Sequence, residues 1–155
     1  PGLVLGPLLS NDIDGASADI MNKLITGQFP GNPNLNFTIV DVRDVALLHV
    51  KAISSDVSNG KRCLTTSKDY LHMSKLSSIL RKGGYKKAPS KNIPNFIVKF
   101  LALFSSEMKG VARNLDRKYE VDISETISLF NWKPIEIKKT ILDMAASVQN
   151  ILENK

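Results

Sequence analysis

Two stretches decide the fold predicted for this chain: PGLVLGP (residues 1–7) and FTIVDVRDVALLH (residues 37–49). The apolar run of the first ends at Gly6 and Pro7, which predicts a buried strand with a sharp exit. In the second, Phe37–Val40 predicts a strand and Val45–Ile53 a helix, with Asp44 capping the helix start. Strands that alternate with helices indicate an α/β fold rather than a helical bundle.

The neighbouring segments extend this pattern. Ser17 is expected to cap a helix that Gly27 ends, and Arg62–Thr66 is expected to form a further strand. Apolar spacing predicts a helix over Met73–Lys82, stopped by the glycine pair at 83–84. Few strands are visible, so a parallel sheet covered on both faces would need further strands upstream.

The second half of the chain is mainly helical by pattern. Phe96–Phe104 predicts a largely buried helix, Arg117–Val121 a short strand, and residues 122–132 another helix. The chain closes with a long helix over Ile135–Leu152. Its apolar residues share one face: Ile137, Ile141, Met144, Ala145, Val148 and Leu152.

Composition restricts the class of protein. The chain has 155 residues, a net charge of +6 and a single cysteine, so an internal disulfide is impossible. The sequence contains no apolar run of about 20 residues and no secretory leader pattern, and a cytoplasmic protein is expected. Because Pro1 opens a buried-strand pattern rather than a loose polar terminus, we expect the chain to be a fragment.

Charge is unevenly distributed. Residues 81–118 carry ten bases against two acids. Such a stretch can bind a nucleotide phosphate, nucleic acid or a membrane surface, although a solvated lysine-rich surface is the commoner explanation. Phe96, Phe100 and Phe104 have helical spacing, which favours core packing over base stacking. The sequence therefore predicts no nucleic-acid and no membrane partner.

The two opening stretches, in this order, resemble the part of extended short-chain dehydrogenases/reductases that follows the catalytic residues. Within this NAD-dependent epimerase/dehydratase superfamily, the resemblance is to dihydroflavonol reductases, cinnamoyl-CoA reductases and microbial aldehyde and ketone reductases. It continues through Gly15-Ala16-Ser17 and through residues 122–132. The implied fold is the last strands of a parallel Rossmann-type sheet with a mainly helical substrate lobe. Residues 1–155 would then be the C-terminal substrate-binding region, without the N-terminal dinucleotide-binding domain.

The resemblance also implies a cofactor, NADP(H), and a small-molecule carbonyl substrate. It implies that four consecutive residues pass beside the nicotinamide and its ribose, namely Pro1, Gly2, Leu3 and Val4, and that Ser17 reaches the cofactor phosphate. A strand beside a glycine offers backbone N–H and C=O groups to a carboxamide, and a hydroxyl at a helix start suits an anion. A plain core strand and a plain helix cap are the alternatives.

The family's catalytic motifs are absent from this sequence. Its chemistry needs a Tyr-x-x-x-Lys pair, and its cofactor fingerprint is Gly-x-x-Gly-x-x-Gly. Each tyrosine here is followed four positions later by a residue other than lysine: Tyr70 by Ser74, Tyr85 by Pro89 and Tyr119 by Ile123. The chain is therefore predicted to be the substrate-binding half of a carbonyl reductase and not competent for catalysis alone. The missing motifs are expected either in an intact longer protein or in a separate N-terminal Rossmann chain. The alternative is a non-catalytic remnant or split-gene product that only folds or associates with a partner.

The remaining reactive side chains favour structural roles. Asp41-Val42-Arg43-Asp44 is expected to cap a helix and pair charges rather than to catalyse. The two histidines, His49 and His72, and the one cysteine, Cys63, are isolated from one another, which predicts no metal site. Cys63 is expected to be a small buried hydrophobic residue.

Overall fold

A computed structural model describes residues 1–11 and 13–154, with the side chain of Glu107 left undescribed. Short strands alternate with helices in the first half of the chain, and the described second half is helical apart from its loops; a 3-10 turn lies at Asp56–Ser58. In chain order the elements are β1 (Leu3–Leu5), α1 (Ala16–Thr26), β2 (Asn36–Phe37), β3 (Ile39–Asp41), α2 (Val42–Ile53), β4 (Leu71–His72), α3 (Met73–Lys82), α4 (Asn95–Leu101), α5 (Ser106–Arg113), α6 (Ser124–Phe130) and α7 (Ile137–Glu153).

The predicted parallel pairing is present at the centre of the fold. β1 pairs in parallel with β3, and Leu3, Val4 and Leu5 lie opposite Ile39, Val40 and Asp41. β2 and β4 form a separate antiparallel pair. Among the described residues, no strand pairs with the other edge of β1. The chain is thus α/β, with the last strands of a parallel sheet and a mainly helical remainder, as predicted.

Three strand predictions need correction. The predicted strand at 37–40 is divided: Phe37 belongs to β2, which pairs with β4, whereas Ile39 and Val40 belong to β3, which pairs with β1. Between them, the Thr38 carbonyl accepts a hydrogen bond from the Leu3 N–H. Residues 62–66, all described, follow an irregular path beside β3, where the side chain of Ser67 rather than a backbone carbonyl accepts from the Ile39 N–H. Residues 117–121 are also irregular, and the Arg117 carbonyl bonds to the Asn36 side chain instead of a strand.

Two predicted helix caps are wrong. α1 has Gly15 as its N-cap, so Ser17 lies within the first turn instead of capping it. α2 begins at Val42, and its N-cap is Asp41, whose carboxylate accepts from the Arg43 N–H. The predicted ends are confirmed, since Gly27 closes α1 in a left-handed conformation and Gly83 follows α3.

The core has two parts that meet at the β1–β3 pair. One lies among α1, α3 and α7, where Leu24, Leu80 and Ile141 are fully buried. The other contains Val40 together with Leu48, Ile123, Phe130 and Trp132. The closing helix presents its predicted face to the first part, with Met144, Ala145 and Val148 buried.

The predicted burial of Phe96–Phe104 is wrong. Of the described residues between 95 and 104, Val98 and Ala102 are buried, and the phenylalanines and leucines face solvent. The segment forms the short helix α4, which packs mainly against α5. Helical periodicity identified a contiguous apolar face, but no described element covers it.

Candidate functional site

The strand predicted to meet the cofactor is held by its neighbours at one edge. The Gly2 N–H donates to the Thr65 carbonyl at 3.1 Å and the Leu3 N–H donates to the Thr38 carbonyl at 2.7 Å. Along a strand, the backbone N–H and C=O groups of successive residues point to opposite sides. Because the Leu3 N–H points toward β3, the N–H and C=O of Val4 point away from β3. Of the four predicted residues, Val4 therefore offers backbone groups to a partner at the open edge.

The side chains of this strand serve packing. Leu3 packs against the core among α1, α3 and α7, and Val4 packs against the core around Trp132. The predicted cofactor strand is thus also a core strand, and both functions suggested by the sequence are compatible. Pro1 is exposed at the start of the same edge.

Gly2 sits where a side chain would not fit. A Cβ there would lie 2.2 Å from Thr66 Oγ1 and 2.4 Å from the Thr38 carbonyl oxygen. Because a carbonyl that accepts the Leu3 N–H cannot move away freely, the close approach of three chain segments requires glycine.

Ser17 is half-buried in the first turn of α1. α1 packs against β1, so the structure brings together the two elements that carry the predicted cofactor residues. A hydroxyl in a first helical turn lies among N–H groups that have no partner within the helix.

A cavity of about 320 Å³ lies at the carboxyl end of β3. It is mainly apolar and is enclosed by β3, the segment after Thr66, α6 and the start of α7; its wall includes Ile39, Val40, Ile123, Ile127, Trp132, Ile135 and Ile137. Two buried polar atoms of lining residues, Thr66 Oγ1 and Trp132 Nε1, lack a hydrogen-bond partner. Thr66 also contacts Gly2, so it links this cavity to β1.

A carboxylate network closes one wall of the cavity. Asp41 accepts hydrogen bonds from Arg43 Nε at 2.8 Å, from Arg43 Nη2 at 2.7 Å and from Thr140 Oγ1 at 2.7 Å. Burial alone would raise the pKa of Asp41, but the hydrogen bonds from Arg43 and Thr140 outweigh it and hold that pKa below its ordinary value. Arg43 also bonds to Asp143 on α7, at 2.7 Å.

Asp44 has a role that the sequence did not predict. Its side chain is buried and Oδ2 accepts from the Ile135 N–H at 2.8 Å, which ties α2 to the segment before α7. The DVRD stretch thus caps a helix, pairs charges and joins two elements. The expected structural role of these residues is confirmed, with Asp41 rather than Asp44 as the cap.

The histidines and the cysteine are separated. His49 is exposed and donates through Nδ1 to the Val45 carbonyl, and His72 caps α3 and bonds to Asn34. Cys63 is partly buried beside the core around Trp132. In the described part of the chain no three His, Cys, Asp or Glu side chains are grouped closely enough to hold a metal ion.

The family resemblance implies that the substrate faces the loop after Gly6-Pro7, the Ser17–Gly27 helix and the Phe29–Asn34 loop, and in the structure two of these segments border different clefts. The loop after Pro7 borders a cleft with Ser147 and Asn150, whereas Asn32 and Asn34 border another with His72. Thr66 and Trp132 were not predicted as lining residues. Their separation in sequence gave no sign of proximity, although Trp132 is the chain's one tryptophan and is followed closely by Pro134.

Comparison with known proteins gives both sequence relatives and structural neighbours, and no family model matches the chain. Cinnamoyl-CoA reductase CAD2 from Medicago truncatula is 32% identical over 133 residues, an alignment that covers 82% of this chain and 38% of the relative. Yeast methylglyoxal/isovaleraldehyde reductase Gre2, solved with NADPH, superimposes with a TM-score of 0.70 at 22% identity, covering 98% of this chain and 45% of the neighbour.

A nucleoside-diphosphate-sugar epimerase from Pseudomonas aeruginosa has the same fold, with a TM-score of 0.73 at 16% identity over 97% of this chain and 46% of its own. The chain therefore spans less than half the length of each of these proteins. The part it matches is the C-terminal portion of a Rossmann-type fold.

Proposed function

Since the chain belongs to the extended short-chain dehydrogenases/reductases and corresponds to their C-terminal portion, we propose that residues 1–155 form the substrate-binding region of an NADP(H)-dependent oxidoreductase. The reaction is reduction of a small-molecule carbonyl to an alcohol, of the dihydroflavonol-reductase type. Catalysis requires an N-terminal dinucleotide-binding region, because the Tyr-x-x-x-Lys pair is absent here.

The open edge of β1 is the observation that carries this proposal. A parallel sheet is normally covered on both faces and built of several strands, yet β1 has a neighbour on one side within the described chain. The Val4 N–H and C=O point to the other side, where a further parallel strand would satisfy them. Relatives more than twice as long supply the chain length for such strands.

Ser17 fits one part of the cofactor, because it lies in the first turn of α1, where helix N–H groups suit a phosphate. The outward backbone groups of Val4 belong to the further strand and Gly2 is packed against Thr38 and Thr66, so the assignment of Pro1–Val4 to the nicotinamide depends on the family resemblance. Pro1–Val4 would hold the nicotinamide end and Ser17 the phosphate, as predicted from the family. The cofactor supplies the hydride, and these residues orient it and exclude water.

The alternative is a non-catalytic remnant with no upstream partner. The same open edge and the exposed apolar side chains of α2, such as Val50 and Ile53, would then promote association or aggregation. Association or aggregation of the 155-residue chain, together with an intact cellular mass of 17.1 kDa, would favour this alternative.

NADPH binding tests the proposal. We expect the protein at its natural length to bind NADPH with a dissociation constant in the micromolar range, as measured by isothermal titration calorimetry. The 155-residue chain alone should show no saturable binding, because it supplies one side of the site. Saturable NADPH binding by the isolated chain would contradict the proposal that the site needs an N-terminal region. A natural-length protein that did not bind NADPH would contradict the proposed reductase function.

A further inference from the structure

Helices α4 and α5 form a projecting arm, residues 95–113. The arm is tied to the fold at its base, where Asp116 accepts from Asn95 Nδ2 at 2.6 Å and also bonds to Asn34, whose carbonyl accepts from the Asp116 N–H at 2.9 Å. Val98 and Ala102 provide the buried side of α4. The base is therefore fixed by polar bonds, and the far side of α4 is left uncovered by described elements.

The uncovered side is strongly apolar. Phe96 is 72% exposed, Phe100 60% and Phe104 77%, and Leu103 adds a side chain 69% exposed. Their spacing places them on one face, and the rings of Phe100 and Phe104 meet edge to face at 5.4 Å. Large apolar side chains are stabilised by burial, so a contiguous exposed face of this kind marks an interaction surface.

Unpaired bases accompany this face. Lys99 lies on α4, and Lys109 and Arg113 lie on α5, all exposed. Among the described residues, none of these three forms an ion pair with a carboxylate. They belong to the 81–118 stretch, which has ten bases and two acids. An anionic surface would therefore complement both the apolar face and the bases of the arm.

We propose that the arm docks on the surface of an anionic lipid membrane. The aromatic and leucine side chains would enter the interface between headgroups and acyl chains, and the bases would contact the acidic headgroups. A second copy of this chain is a poorer occupant, because it would bring two positively charged stretches together. None of the described helices is long and apolar enough to cross a bilayer, so the contact is peripheral.

This inference reverses the sequence-based expectation that the protein has no membrane partner. That expectation depended on interpreting the basic 81–118 stretch as a solvated lysine-rich surface, and the exposed apolar face of α4 within that stretch is what the sequence pattern did not predict. The inference goes beyond carbonyl reduction and does not depend on it, since reductase activity can be assayed without lipid.

Vesicle co-sedimentation of the natural-length protein tests the inference. We expect sedimentation with phosphatidylcholine vesicles that contain about 30% phosphatidylserine, little with pure phosphatidylcholine, and release as salt is raised. Phe100→Glu should weaken binding about tenfold or more, since it removes an aromatic ring that membrane binding would bury and places a carboxylate against acidic headgroups. Ile53→Glu is the matched control: Ile53 is 87% exposed on α2, so the same change there should leave binding intact.

The inference would be wrong if the protein failed to sediment with anionic vesicles, or if the two variants weakened binding equally. A lower melting temperature for Phe100→Glu with unchanged vesicle binding would also overturn it, and would show that another part of the same protein covers this face. A dimer that Phe100→Glu converts to a monomer would overturn it too, and would show that a second copy covers the face.

Discussion

Replacing Gly2 with alanine is expected to lower the free energy of unfolding by about 2–3 kcal/mol, a large effect for one methyl group. Thr66 can rotate its hydroxyl away from the new Cβ, but the Thr38 carbonyl, 2.4 Å away, is backbone. Moving that carbonyl would weaken its bond to the Leu3 N–H and separate β1 from β3. Urea unfolding followed by circular dichroism measures the change. The dependence of the unfolding free energy on urea concentration is expected to be the same in both proteins.

Gly110→Ala is the matched control with the opposite sign. Gly110 lies within α5, and a Cβ there meets nothing within 4 Å. Alanine should therefore stabilise the helix by about 0.5–1 kcal/mol through lower backbone entropy in the unfolded chain. Similar small effects of both substitutions would mean that β1 is not seated against Thr38 and Thr66 as described.

Replacing Asp41 with asparagine is expected to cost about 3 kcal/mol of stability. The Asp41 carboxylate is fully buried and accepts hydrogen bonds from Arg43 and Thr140. Asparagine would place an N–H₂ group, which cannot accept, opposite one of these donors and leave it without a partner. Asp143→Asn is the control, because Asp143 bonds to the same arginine but its side chain is 26% exposed. A surface pair of that kind contributes about 1 kcal/mol or less, so the ratio of the two losses tests the role of burial.

The pH dependence of stability provides an independent check on Asp41. Its pKa in the folded protein lies below the ordinary 3.8, so protons bind the unfolded chain more readily. The contribution of Asp41 is therefore complete above about pH 3.8 and is lost as pH falls through the folded pKa. The stability difference between wild type and Asp41→Asn should shrink over that acidic range. A difference that stays constant from pH 6 to below about 3 would show that the charge of Asp41 is unimportant.

Local signals in the sequence were sufficient to predict the ends of several helices. Gly27 ends α1 with a φ of 80°, and Gly84, which follows the C-cap Gly83 of α3, has a φ of 103°; both values lie in the range that glycine accepts readily. The apolar face of α7 was also predictable, since a long helix with residues at helical spacing has one way to pack. The alternation of strands and helices predicted an α/β fold, but it did not specify that β1 pairs with β3.

Features that depend on distant partners were not predictable in the same way. Arg62–Thr66 has the composition of a strand, but the side chain of Ser67 occupies the position of a ladder carbonyl beside Ile39. For Phe96–Phe104 the pattern identified the apolar face without showing what covers it. The cavity between Thr66 and Trp132 arises from packing of separate segments, which no local pattern records.

The proposal that this chain is the substrate-binding part of a longer carbonyl reductase predicts NADPH-dependent turnover by the natural-length protein. Its most direct test is steady-state oxidation of NADPH by the natural-length protein, followed at 340 nm, about the cofactor's absorbance maximum, against a panel of aldehydes and ketones. We expect turnover of at least one carbonyl compound with matching formation of alcohol, and no turnover by the 155-residue chain alone. Absence of carbonyl-dependent NADPH oxidation by the natural-length protein across the panel would contradict the claim and favour the non-catalytic remnant.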